Sequence, residues 1–145
     1  MQQDLATRYP LVLVPGMLGF VRMVLYPYWF GIVPALRKGG AQVFPVQVSP
    51  LHSSEVRGEQ LLAIIDDICQ RTGVDKVNLI GHSQGALSAR YAAAKRPERV
   101  ASVTSVAGPN HGSELADHLE RTAPGHSPAR QSAPCKAGAW STAIR

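Results

Sequence analysis

A chain of 145 residues with 45% hydrophobic and 17% charged residues has the make-up of a globular domain, which excludes wholesale disorder. The length suits one domain or a part of one and is short for a complete α/β enzyme. The formal net charge is +5, but the basic residues are scattered and the pairs Arg37-Lys38 and Lys95-Arg96 fall at expected helix ends, so no nucleic-acid partner is expected.

The polar start, Met1 to Arg8, has neither the basic-then-apolar pattern of a signal peptide nor an apolar run long enough for a transmembrane helix. As written, the chain is expected to be cytoplasmic. Its apolar run Leu11 to Val14 reads as a buried strand ended by Pro15-Gly16, which places the loop Pro15 to Phe20 at a strand end. From Tyr28 to Arg37 the spacing of Trp29, Ile32, Val33 and Leu36 predicts a short helix stopped by Gly39-Gly40. A second strand is expected over Gln42 to Val48, with Pro45 favouring an edge or a strand end.

Leu61, Ile64, Ile65, Ile68 and Cys69 form one apolar stripe of a helix between Glu55 and Thr72, with Ser54 as N-cap and Gly73 as stop. Of the two cysteines, Cys69 is expected as a buried free thiol and Cys135 falls in an irregular stretch, so no disulfide framework is read. Strand Lys76 to Ile80, turn Gly81 to Gly85 and the Ala-rich helix Ala86 to Lys95 follow without a linker. Val100 to Val106 is the next strand and Ser113 to Glu120 a short helix capped by Ser113. The alternation implies an α/β fold with a mostly parallel sheet and helices on both faces. Residues 1–120 read as that domain, and 121–145 lack either period and read as an irregular tail.

Gly81-His82-Ser83-Gln84-Gly85 matches Gly-x-Ser-x-Gly between an apolar strand and a helix, the setting of a nucleophile elbow in an α/β-hydrolase-type fold. Ser83 is the candidate nucleophile. The elbow glycines Gly81 and Gly85 would let strand and helix approach closely around a strained serine. At the N-terminus of the following helix, the backbone N–H of Gln84 is a candidate oxyanion donor, and the N–H of Met17 in the glycine-containing loop is the second. Met17 and Leu18 are candidates for lining an acyl pocket.

These blocks resemble the bacterial triacylglycerol lipases of the Pseudomonas and Burkholderia type from about Tyr9 to Leu119. The resemblance rests on Leu11 to Phe20, Tyr28 to Ile32, Ser54 to Leu62, Lys76 to Gly85 and the region up to Gly112-Ser113-Glu114. It implies ester or lipid substrates, Ser83 as nucleophile with the Gln84 and Met17 amides as oxyanion donors, and a secreted family. It also implies that the C-terminal half of the fold is missing after about Arg121, by truncation or a frame shift. That half holds the family's catalytic Asp and His, its lid and its calcium site, so neither cofactor nor metal is expected in this chain.

Where the family usually carries His before the loop glycine, this chain has Pro15; His111 stands at the family's basic position in the loop after Val106. Asp117 with His118 or His126 keeps the chain order of a triad but not its usual placement after later strands. His82 is expected to pack beside the sheet, and His52 to be a loop histidine. Three readings stay open: an ester hydrolase of the lipase type, a non-catalytic remnant of one, and an acyltransferase or thioesterase-like hydrolase on the same framework.

Overall fold

A computed structural model describes residues 4–17, 22–23 and 26–122. The chain divides into two compact units, Met1–Asn110 and His111–Arg145. In the first, β1 (Leu11–Val14), β4 (Val43–Pro45), β5 (Val77–His82) and β6 (Val100–Val106) form a parallel sheet in the order β4-β1-β5-β6. Two short strands, β2 (Arg22–Met23) and β3 (Tyr26–Pro27), pair antiparallel beside it in sequence. With two residues each, they carry no period from which they could be read.

β1 is buried throughout, as a central strand with both faces covered must be. Its side chains divide by parity. Leu11 and Leu13 join Trp29, Ala41 and Val43 on one face, where Val33 and Leu36 of α1 (Ile32–Lys38) pack. Val12 and Val14 join Leu61, Ile65, Ile68, Val77, Leu79, Ala89 and Ala92 on the other, under α2 (Ser54–Thr72) and α3 (Gln84–Lys95). The expected parallel sheet with helices on both faces is present.

Several boundaries move. The helix expected over Tyr28 to Arg37 begins only at Ile32, because Gly31 takes a left-handed backbone (φ 76) and residues 28–30 form a turn closed by Phe30 N–H on Pro27 C=O. β4 is shorter than the expected Gln42 to Val48; Pro45, with no N–H to donate, is its last residue and the strand lies at an edge. The cap of α2 is Ser53 and not Ser54: Arg57 N–H bonds to Ser53 C=O (3.1 Å), so Ser54 is already helical, and Ser53 Oγ accepts from Val56 N–H. Gly73 ends α2 in the left-handed conformation (φ 72), as expected.

α2 and α3 approach closely because both faces are trimmed. A Cβ on Gly58 would collide with the Tyr91 ring, and α3 buries Gly85, Ala86, Ser88, Ala89 and Ala92. Cys69 is buried and free, and its burial pushes the thiol above its ordinary pKa.

In the second unit, α4 spans Glu114–Thr122, two residues beyond the expected end, and Asp117 N–H bonds to Ser113 C=O. Apart from Arg121 and Thr122, the expectations for 121–145, including Cys135 and His126, lie outside the described residues, as do Leu18, Gly19 and Phe20. Among the described residues no helix is long and apolar enough to cross a membrane.

Leu61 is fully buried between α2 and the sheet. Leu61→Ala is expected to lower the unfolding free energy by about 2–5 kcal/mol in urea titrations, whereas Leu51→Ala, at a side chain 74% exposed, should change it by less than about 0.5 kcal/mol.

Candidate active site

β5 ends at His82 and α3 begins at Gln84, leaving Ser83 alone at the corner. Its backbone sits at φ 54, ψ −129, a region that non-glycine residues seldom occupy and that costs on the order of 1–3 kcal/mol. Hydrogen bonds fix it from both sides: Ser83 N–H donates to Val106 C=O of β6 (2.9 Å), and its C=O accepts from Ala86 N–H (3.0 Å). The next residue along from Val106, Ala107, is the other described non-glycine residue with positive φ (49). Two strained residues thus end two adjacent strands.

The space around the corner admits no extra carbon. A Cβ on Gly81 would lie 2.5 Å from Ala86 Cα, one on Gly85 would press into the carbonyls of Val14 and Pro15, and one on Gly16 would lie 2.8 Å from Ser83 Cβ. The end of β1, the end of β5 and the start of α3 therefore meet backbone to backbone, and Gly16 lies directly against Ser83.

The loop after β1 is held by Arg57, a residue of α2 whose side chain is fully buried. Its Nη2 donates to Pro15 C=O (2.5 Å) and Gly16 C=O (3.2 Å), and its Nη1 to Ser49 C=O (3.1 Å). Burial pushes the guanidinium below its ordinary pKa, with Tyr28 acting in the opposite direction.

A trans peptide is planar, so its C=O and N–H point in opposite directions. The Pro15–Gly16 peptide has its C=O on Arg57 and its N–H on Tyr28 Oη (3.1 Å). In the next peptide Arg57 takes the Gly16 C=O, which turns the Met17 N–H away from the guanidinium. Neither that amide nor the Gln84 amide is bonded to another described group. As the first residue of α3, Gln84 has no intrahelical partner for its N–H. Its side chain ties down the neighbouring loop through Nε2 on His52 C=O (3.1 Å).

The described histidines lie in different surroundings. His52 is exposed in its loop, as expected. His82 packs against Tyr28 and Trp29, with ring centroids 5.7 and 6.2 Å away, which matches its expected place beside the sheet. In the second unit His111 and His118 are exposed, and Asp117 and His118, adjacent on one helix, do not face each other. No described side chain hydrogen-bonds Ser83 Oγ. Among the described residues no three His, Cys, Asp or Glu side chains group around a possible cation.

Two residues of this site escaped the sequence reading. Arg57 lies within the resembling stretch Ser54 to Leu62 but has no role in the sequence reading; a visible signal is its place four residues before Leu61 on the apolar stripe of α2, where a charge must find partners. Tyr28 carried no local signal, since its two partners lie 12 and 54 residues away.

Comparison with known proteins places the chain in a fold family. The profile of the family described as alpha/beta hydrolase fold matches residues 9–133. A triacylglycerol lipase of Pseudomonas fragi is 54% identical over 119 residues, covering 82% of this chain and 41% of that protein. One of Vibrio cholerae is 49% identical over 86% of this chain and 40% of the relative, and one of Burkholderia plantarii 46% identical over 79% and 33%. The crystal structure of a Bacillus licheniformis lipase in mature form superposes with a TM-score of 0.65 at 27% identity, covering 79% of this chain and 46% of that one. The chain thus spans about two fifths of the length of the first two curated relatives, at 41% and 40%.

Arg57→Met, similar in length but without donors, would leave buried carbonyls unpaired at about 1–3 kcal/mol each. Urea unfolding should show a loss of about 3 kcal/mol or more, only partly recovered by Arg57→Lys, which lacks the planar fork. A loss below about 0.5 kcal/mol would mean that the guanidinium does not hold the loop.

Proposed function

The chain belongs to the α/β-hydrolase fold family, and from that membership we propose that it carries the nucleophile part of a carboxylic-ester hydrolase, a triacylglycerol lipase working through an acyl-serine intermediate. The observation that carries the reading is Ser83, held at φ 54 between strand and helix with Gly16 packed against it. The likeness to lipases of Pseudomonas, Vibrio and Burkholderia at 46–54% identity supports lipid esters as the substrate class.

In this reading Ser83 Oγ attacks the ester carbonyl carbon, and the carbonyl π electrons move onto oxygen. The Met17 and Gln84 amides, with no other described partner, donate to that oxyanion. Collapse breaks the acyl C–O bond, the alcohol leaves with a proton, and water then attacks the acyl-serine to release the acid. The serine proton needs a general base, and none of the described side chains is hydrogen-bonded to Oγ. The acyl-transfer chemistry itself calls on no cofactor or metal. That missing contact favours a second reading, a non-catalytic form that keeps the fold and the serine corner without turnover.

A fluorophosphonate probe and a p-nitrophenyl acyl ester separate the two. The hydrolase reading expects covalent phosphonylation at Ser83 in folded protein, ester turnover above buffer, and loss of both in Ser83→Ala. Even without a positioned base, oxyanion stabilisation leaves a rate of roughly 10³-fold over water. Folded protein that takes no label and hydrolyses the ester no faster than Ser83→Ala would leave only the non-catalytic reading.

A further inference from the structure

We propose that Tyr28 is a positioning residue of the oxyanion loop, clamped between the Gly16 amide and the His82 imidazole, whose Nδ1 accepts the phenolic hydrogen while Nε2 carries the ring proton. The inference deepens the hydrolase reading and rests on it for its effect on Ser83, while the clamp itself joins Tyr28 Oη to the Gly16 amide and to His82 Nδ1 whether or not Ser83 reacts.

Tyr28 is half-buried in the turn that follows β3. Its Oη accepts the Gly16 N–H at 3.1 Å and lies 2.5 Å from His82 Nδ1. A phenol has a single hydrogen to give. With an oxygen lone pair engaged by the Gly16 N–H, the proposed clamp has the phenolic hydrogen donated to Nδ1, which is then unprotonated. The neutral imidazole therefore bears its hydrogen on Nε2. The ring is further held edge-on by Tyr28 and Trp29, at interplanar angles of 61° and 78°.

The two ends of this clamp belong to the two halves of the site. Gly16 precedes Met17, whose amide is one candidate oxyanion donor, and His82 precedes Ser83. Tyr28 Oη would lie 3.1 Å from a Cβ on Gly16, on a residue whose own Cβ would also meet Ser83, so the phenol oxygen and the serine flank the same glycine. Arg57 holds the two carbonyls of the loop and Tyr28 holds the Gly16 N–H. Of the three polar groups in those two peptides that have fixed partners, Tyr28 supplies the one that links the loop to the elbow. Without it the Pro15–Gly16 peptide is anchored by its carbonyl alone and can rock, and the Met17 amide moves with it.

The test uses the full chain labelled with 15N-histidine, with the His82 signals identified by their loss in His82→Asn. Nitrogen shifts of an unprotonated Nδ1 and a protonated Nε2 are expected for His82. Protonation on Nδ1 in the neutral ring would overturn the clamp, whatever any variant does. In Tyr28→Phe, the Gly16 amide should exchange at least tenfold faster with solvent and phosphonylation of Ser83 should slow by about tenfold, with thermal unfolding still cooperative. With Tyr28 intact, His82→Asn, which can place an amide oxygen near the Nδ1 position to accept the phenolic hydrogen, should keep Gly16 exchange slow, whereas His82→Leu should speed it. Equal exchange in Tyr28→Phe and the parent would also overturn the proposal. A parent that shows the His82 tautomer and a protected Gly16 amide but takes no label would instead refute the hydrolase reading and leave the clamp standing.

Discussion

A guanidinium with no carboxylate partner among the described residues lies beneath the loop after β1. Arg57 takes three backbone carbonyls instead, those of Ser49, Pro15 and Gly16, so the charge is solvated by peptide dipoles rather than neutralised by an anion. Its Nε has no partner, and full burial makes any loss of the remaining bonds expensive. The geometry of the candidate oxyanion loop follows from this anchor. Peptide planarity converts two fixed carbonyls into two fixed amide directions: one N–H ends on Tyr28, and the next, that of Met17, has no described partner.

The contact between loop and elbow depends on what is absent as much as on what is bonded. Gly16, Gly81 and Gly85 remove the three carbons that would push β1, β5 and α3 apart, and Ser83 occupies the vertex in a strained conformation. Such strain persists only where surrounding structure over-determines it. Here the bonds of Ser83 to Val106 and Ala86 supply that constraint, on a parallel sheet buried on both faces at β1. The proposed role of Ser83 as nucleophile rests on this vertex, with the Met17 and Gln84 amides as its proposed oxyanion donors.

Elements whose signal is local were legible in the residues. The all-apolar Leu11–Val14, the stripe of α2 with its terminal Gly73, and the Gly-x-Ser-x-Gly corner each follow from spacing within a few residues. Boundaries were less so, because they turn on single backbone states: Gly31 at φ 76 converts the start of an expected helix into a turn, and the carbonyl of Ser53, rather than that of Ser54, opens the α2 ladder. Arg57 was half legible, since a charge on an apolar stripe announces a need for partners without naming them.

By itself the sequence determined the parallel α/β pattern, the candidate nucleophile Ser83 and the two glycines that flank it, since propensity, period and motif spacing act over a few residues. Tertiary structure alone decided which groups hold that serine's surroundings. Arg57 reaches carbonyls 41 and 42 residues away, and Tyr28 joins Gly16 to His82 across 12 and 54. Hydrogen bonds over such separations have no sequence period. They are set by how β1, β5 and α2 come together when their apolar faces are buried, and that packing is a property of the whole unit.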